Sequence, residues 1–191
     1  MGNIAFKPTM SAKDFLEWDR TQTIRHEFVD GEVFAMAGAE DWHVTVTANV
    51  YMALRPHLAG TPCRVLMLDT KVHVARANSY FYPDVLVTCD AADHANRLIK
   101  SNPKLLVEVL SPSTAAYDRG DKFARYRLID ALQEYVVVDI DSRRTDIHRK
   151  GADGLWVLHP FEAGAAIHLA SVALDIAAEQ LFAEVDPPAA A

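Results

Sequence analysis

Two stretches, Lys104–Leu110 ("KLLVEVL") and Gln133–Ile140 ("QEYVVVDI"), limit the fold more than any other part of the chain. Each is short, rich in β-branched residues and apolar on both alternating faces, the pattern of a strand buried on each side rather than of an amphipathic helix. A sheet with such strands at its centre needs helices to cover it. The rest of the chain offers them. Ser11 stands before "AKDFLEWDR" with Asp14 three residues later, a helix start of capping-box type. In "DWHVTVTANVYMALRPHL", Val46, Val50, Leu54 and Leu58 recur every four residues, an apolar stripe at helical period. "DRGDKFARYRLIDAL" reads as a helix capped by Asp118, and a last short helix is expected over Ile176–Phe182.

Strand signals fill the gaps. "IRHEFVDGEVFAMAG" is two β-rich runs around Asp30-Gly31, a dipeptide suited to a tight hairpin. "CRVLMLDTKVHVA" alternates, "FYPDVLVTCD" holds a strand opened by Pro83, and "TDIHRK" and "LWVLHP" are two more strands. Strands and helices interleave without strict alternation, so the expected fold is α/β, a mixed central sheet flanked by helices. One domain over residues 10–185 is expected, between a flexible N-terminus at 1–9 and a flexible tail at 186–191.

The 191 residues are half apolar and 24% charged, enough for one core. No secretory pattern opens the chain and no apolar run approaches a bilayer's thickness, so a soluble cytoplasmic protein without a membrane partner is expected. Cys63 and Cys89 lie far apart without CxxC spacing and read as reduced, partly buried thiols. The net charge of −7 argues against coating nucleic acid by bulk electrostatics. That average hides a segment, Arg97–Lys150, with 11 basic and 8 acidic residues, leaving 8 basic and 18 acidic elsewhere. A local basic face is compatible with the count, as is ordinary scatter of solvated charge.

The residue out of place is Glu108. Alternation puts Lys104, Leu106, Glu108 and Leu110 on one face of their strand, so the carboxylate points into or beside a core. An unpaired charge there costs several kcal/mol, and a proton, a basic side chain or a metal ion must compensate. A structural salt bridge is the ordinary answer. A second acid, Asp84, opens the apolar run "DVLVTC", and two strand-borne acids that converge suit a hard divalent cation.

Taken in order, "HEFVDGEVFAM", "YPDVLV", "PKLLVEVLSPST", "YDRGDKFARY" and "LQEYVVVD" resemble the restriction endonuclease family often called the Uma type, within the PD-(D/E)XK nuclease superfamily. The resemblance runs from the first helix to about residue 182. It implies a restriction-endonuclease-like fold and a Mg²⁺-dependent (or Mn²⁺-dependent) DNA endonuclease. Asp84, Glu108 and the Val109 carbonyl would hold the metal, and a homodimer would cut both strands. The metal would polarise the scissile phosphate and activate a water.

One departure from the superfamily pattern is plain. Its lysine should stand two residues after the acid, where this chain has Leu110. Lys122 in "DRGDK" is taken as the migrated catalytic lysine. Its alternative role is an exposed ion pair with Asp118 four residues earlier, and Lys104 is its rival. Glu27 on the early hairpin, His43 and Tyr126 are possible accessories. For each an ordinary reading stands beside it: Glu32 is an equal claimant to a plain strand carboxylate, His43 reads as a structural histidine, and Tyr126 as a ring closing the core. Asp69 and Lys71 read as charges of a solvated strand edge. An inactive nuclease-like module that binds DNA or assists another protein is the alternative to an enzyme.

Overall fold

The computed structural model describes residues 5–6, 9–36 and 38–186 of the chain. A two-residue strand, β1 (Ala5–Phe6), precedes α1 (Ala12–Asp19), whose N-cap Ser11 accepts a hydrogen bond from the Asp14 amide as its sequence position requires. The hairpin β2 (His26–Val29) and β3 (Glu32–Ala35) turns at Asp30 and Gly31, with φ of 47° and 100°. Then come α2 (Asp41–His57), β4 (Arg64–Met67), β5 (Lys71–Val74), β6 (Ser79–Phe81), β7 (Val85–Thr88) and α3 (Ala91–Ala95). After β8 (Ile99–Lys100) and β9 (Pro103–Val109), α4 (Ala115–Tyr117) leads through a π-helical turn (Asp118–Lys122) into α5 (Phe123–Tyr126). The chain ends with β10 (Glu134–Asp139), β11 (Arg144–Lys150), β12 (Trp156–Phe161), β13 (Ile167–Leu169), β14 (Leu174–Ile176) and α6 (Ala178–Leu181).

Among the described residues the strands form two six-stranded sheets, ordered β1-β3-β2-β6-β5-β8 and β12-β11-β10-β9-β7-β4, plus the pair β13-β14. In the second sheet β9 and β10 are parallel neighbours at the centre while the flanking pairs are antiparallel, which makes the sheet mixed, as expected. Two parallel neighbours need a crossover, and the α4–α5 segment supplies it. That segment covers the face carrying Leu86, Leu106 and Leu110 with Tyr126 and, just beyond it, Ile129 and Leu132. On the opposite face Val46, Val50 and Leu54 of α2 pack against Val85, Val107, Val136 and Ile147. Both faces are dry for the reason the two apolar runs foretold.

Several expectations are corrected. Cys63 and Cys89 are joined in a disulfide, with Cα atoms 4.0 Å apart. Pairing of β4 with β7 sets Arg64 opposite Thr88, so the residues just outside that pair face one another despite 26 residues of separation. "CRVLMLDTKVHVA" is not one strand: at Leu68 the backbone turns to φ 53°, and β4 and β5 enter different sheets. Asp118 is not an N-terminal helix cap, because the helical segment already begins at Ala115 and Asp118 sits within the π-helical turn. The last helix is only Ala178–Leu181, since Ile176 belongs to β14. At the ends, residues 5–6 pair with β3, and residues 1–4, 7–8 and 187–191 of the expected flexible termini lie outside the described residues.

Candidate active site

Register brings the two acids singled out in the sequence to one place. β7 and β9 pair antiparallel with Val85 opposite Val107, so Asp84, one step before β7, stands opposite Glu108. Glu108 shares its face with Leu106 and Leu110 and is 4% exposed. Asp84 Oδ2 accepts a hydrogen bond of 2.7 Å from the Val109 amide, which fastens the acid to the end of the neighbouring strand. His43, near the start of α2, brings Nε2 to 3.3 Å from the same oxygen.

The cation for Glu108 comes from the crossover. Lys122 Nζ lies 2.9 Å from Glu108 Oε1, 3.1 Å from Glu27 Oε1 and 3.4 Å from Asp118 Oδ1. An ammonium has three N–H donors, and here three carboxylates surround it. Asp118 and Lys122 are an i,i+4 pair, but a buried one, 3% and 5% exposed, and not the exposed pair that spacing alone suggests. The π-helical turn contributes to this geometry. The Asp118 carbonyl receives the Tyr135 hydroxyl at 2.8 Å, and such turns recur where side chains must be aimed inward. Tyr126, one turn beyond, donates its hydroxyl to Glu108 Oε1 at 3.0 Å. The Phe81 ring lies 5.8 Å from Lys122 Nζ, within cation–π range.

Burial and charge act together on these groups. Burial disfavours the charged form of Lys122, yet Glu108, Glu27 and Asp118 outweigh it and hold the ammonium well above the usual lysine range. Burial pushes the Glu108 carboxyl well up. Lys122 opposes that rise, and the Asp118, Asp84 and Glu27 carboxylates add to it. One ammonium cannot neutralise four acids. The Tyr126 hydroxyl is also raised, by burial first and by Glu108 next, so it remains a donor. For His43, burial opposes the charged form, but Asp84 and the Val109 backbone prevail and raise it. Its Nδ1 is buried without a hydrogen-bond partner among the described residues.

Glu27 therefore joins the cluster, and its rival Glu32, partly exposed, lies beyond the turn outside it. Lys104 forms no ion pair with Glu108, whereas Lys122 does. Asp69 pairs at the surface with Arg25. Lys71, read as a solvated edge charge, is instead tied at 2.8 Å to buried Asp19, which also receives the Tyr82 hydroxyl at 3.0 Å. The member of the cluster that sequence reasoning missed is Asp118. Its i,i+4 spacing to Lys122 was the available signal, and burial decides what that spacing means.

The donor set suits a hard divalent cation. Asp84 Oδ1 and Glu108 Oε2 form no hydrogen bond among the described residues, and the cluster carries surplus negative charge. Among the described residues no three His, Cys, Asp or Glu side chains form a ready ion cage. Magnesium is commonly held by one or two carboxylates, with waters and substrate phosphate completing the shell, so this arrangement fits it. No helix among the described residues is long and apolar enough to cross a membrane.

Residues 12–179 match the family model "Uma2: Putative restriction endonuclease". The uncharacterized protein slr1290 of Synechocystis sp. (strain ATCC 27184 / PCC 6803 / Kazusa) is 35% identical over 175 residues, covering 92% of each chain. A second uncharacterized protein of that strain, sll1609, is 32% identical over 157 residues, 81% of this chain and 89% of its own. Among solved structures, "a putative nuclease belonging to DUF820" from Anabaena variabilis ATCC 29413 superposes with a TM-score of 0.76 at 14% identity, over 91% of this chain and 97% of that one. At that identity the likeness is one of fold.

Proposed function

The chain belongs to the family described as "Uma2: Putative restriction endonuclease", and from this premise we propose that it hydrolyses DNA phosphodiester bonds with a divalent metal, Mg²⁺ or Mn²⁺. The observation that carries the reading is the convergence of Asp84, just before β7, and Glu108, on the neighbouring β9, beside a buried lysine. Asp84, Glu108 and the Val109 carbonyl would hold the metal. When bound, it supplies a Lewis acid on the phosphoryl oxygen and a water of lowered pKa.

The chain's own residues do the remainder. Lys122 would supply a fixed positive charge beside the developing charge on the scissile phosphate, an interaction whose removal usually slows a reaction ~10²–10³-fold. Glu27 and Asp118 keep that ammonium charged and aimed. Tyr126 fixes the Glu108 rotamer, and His43 and the Val109 amide fix Asp84. Two copies acting as a homodimer would cut both strands.

The test is cleavage of supercoiled plasmid with Mg²⁺ or Mn²⁺ by the unaltered chain, Asp84→Ala and Glu108→Ala, with sedimentation to read the oligomeric state. Cleavage lost in both variants and in chelator is expected; cleavage that survives in Asp84→Ala overturns the assignment. A second reading is favoured by one observation: all three donors of Lys122 already face carboxylates, as in a structural ion cluster. On that reading the chain retains DNA without cutting it, and chelator leaves binding unchanged.

A further inference from the structure

A cavity of about 220 Å³ lies at the far end of β7 from Asp84, lined by Arg64, Thr88, His94, Arg97 and Lys100 among others. Arg64 and Thr88 are a cross-strand pair two residues along from the pair Leu66 and Leu86, so all four side chains share a face, and Leu66 and Leu86 pack on the Glu108 side of the sheet. The cavity and the acidic cluster thus share one face of the second sheet. Thr88 is four residues from Asp84, about 13 Å at ~3.3 Å per strand residue.

Its three Arg and Lys cations have no ion-pair partner among the described residues. Arg119, Arg144 and Arg149 each pair with a carboxylate, whereas Arg64, Arg97 and Lys100 form no such pair among the described residues. The acid nearest them is already engaged. Asp93 Oδ1 accepts the Ser101 amide at 2.7 Å, and Oδ2 accepts the Thr88 hydroxyl at 2.7 Å and the Asn102 amide at 3.1 Å. Lys100 is 5% exposed and donates to the backbone carbonyls of Asp93 and Asn96, which leaves one of its three donors over. Burial lowers the Lys100 pKa, and repulsion from Arg64 adds to the lowering against the opposing pull of Asp93. Exposed guanidiniums over a buried ammonium make a receptor for an oxyanion, and arginine forks match phosphate oxygens.

We propose that this cavity is a phosphate subsite that holds a backbone phosphodiester of the DNA substrate away from the scissile bond. The inference rests on the nuclease reading and extends it. The separation from Asp84 corresponds to about four nucleotides at ~3.4 Å rise per strand. The site also explains how a chain of net charge −7 engages a polyanion: the basic surface is a localised cluster, not a broad face.

The test is fluorescence anisotropy of a labelled duplex, without cleavage, in chelator between 50 and 200 mM salt. It compares the full chain with Arg64→Ala, Arg97→Ala and, four strands from β4, Arg144→Ala. Arg64 and Arg97 are exposed, so their replacement should leave the fold intact, which thermal unfolding of each variant is to check. Binding about tenfold weaker in Arg64→Ala and Arg97→Ala is expected, with no change in Arg144→Ala. The slope of log K against log salt should fall by ~0.9 for each phosphate that is no longer neutralised. Equal affinity and slope in all variants overturns the subsite while the nuclease reading stands. If the unaltered chain binds no duplex, and inorganic phosphate raises its Tm but not that of Arg64→Ala, the cavity is a free-anion site. Both the subsite and the DNA reading then fall.

Discussion

Replacing Glu108 by glutamine separates a carboxylate that serves the fold from one that burdens it. At an effective dielectric constant of ~20, the attraction between Glu108 and Lys122 at 2.9 Å is about 6 kcal/mol. Against it stand the other acids. Because Glu27 Oε1 and Glu108 Oε1 lie 3.1 and 2.9 Å from one nitrogen, they are at most about 6 Å apart and repel by at least ~2.8 kcal/mol. Asp118, 3.4 Å from that nitrogen, adds at least ~2.6 kcal/mol, and Asp84 adds more. Attraction and repulsion nearly cancel, and desolvation of a buried carboxylate then weighs against the charged form. Glutamine retains acceptors for Tyr126 and Lys122 and removes the charge.

Urea unfolding of Glu108→Gln in chelator at pH 7.5 should therefore give stability within ~1 kcal/mol of the unaltered chain, or above it, with an unchanged m-value. Cleavage should be lost. The pH dependence follows in sign. A carboxyl raised above its unfolded value stabilises the fold fully below that value, near 4.5, and loses the contribution as pH rises through the folded value. The advantage of Glu108→Gln should therefore grow with pH through that window. A loss of ~3–5 kcal/mol at pH 7.5, as when an ordinary buried ion pair is broken, would refute the reasoning.

Lys122→Met should lose cleavage at least ~10²-fold and also destabilise by ~3–5 kcal/mol, because it strands three buried carboxylates; Lys104→Ala should keep cleavage, and the opposite outcome in a plasmid assay reassigns the lysine. Mg²⁺ at 100 times its Kd should raise unfolding stability by ~2.7 kcal/mol in the unaltered chain and by nothing in Asp84→Ala, as read by urea titration. Reduction of Cys63–Cys89, which closes a separation of 26 residues, should lower stability by about 3.5 kcal/mol on the chain-entropy relation; an unchanged denaturation midpoint in reductant would exclude a contribution from the bond.

Much of the scaffold was legible because its signals are local. Ser11 caps α1, Asp30-Gly31 turns the hairpin, and the four-residue stripe of α2 lies against the sheet, each set by short-range sterics or by side-chain period. The two-faced burial of β9 also followed from its own seven residues, as did the face on which Glu108 points. Where one strand read as continuous, the failure was local as well: Leu68 adopts a left-handed backbone that no leucine advertises.

The sequence by itself determined that a buried carboxylate must find compensation, since that is a property of Glu108 and its apolar neighbours. Which groups provide it was decided by tertiary structure. Glu27 comes from the first sheet, Asp84 from the residue just before the neighbouring β7 and Lys122 from the crossover, so each partner depends on register and packing between distant segments. The same holds for Cys63 and Cys89, whose pairing is set by the β4–β7 register and not by spacing. Side-chain alternation tells a residue which way it faces; only the closed fold tells it what stands there.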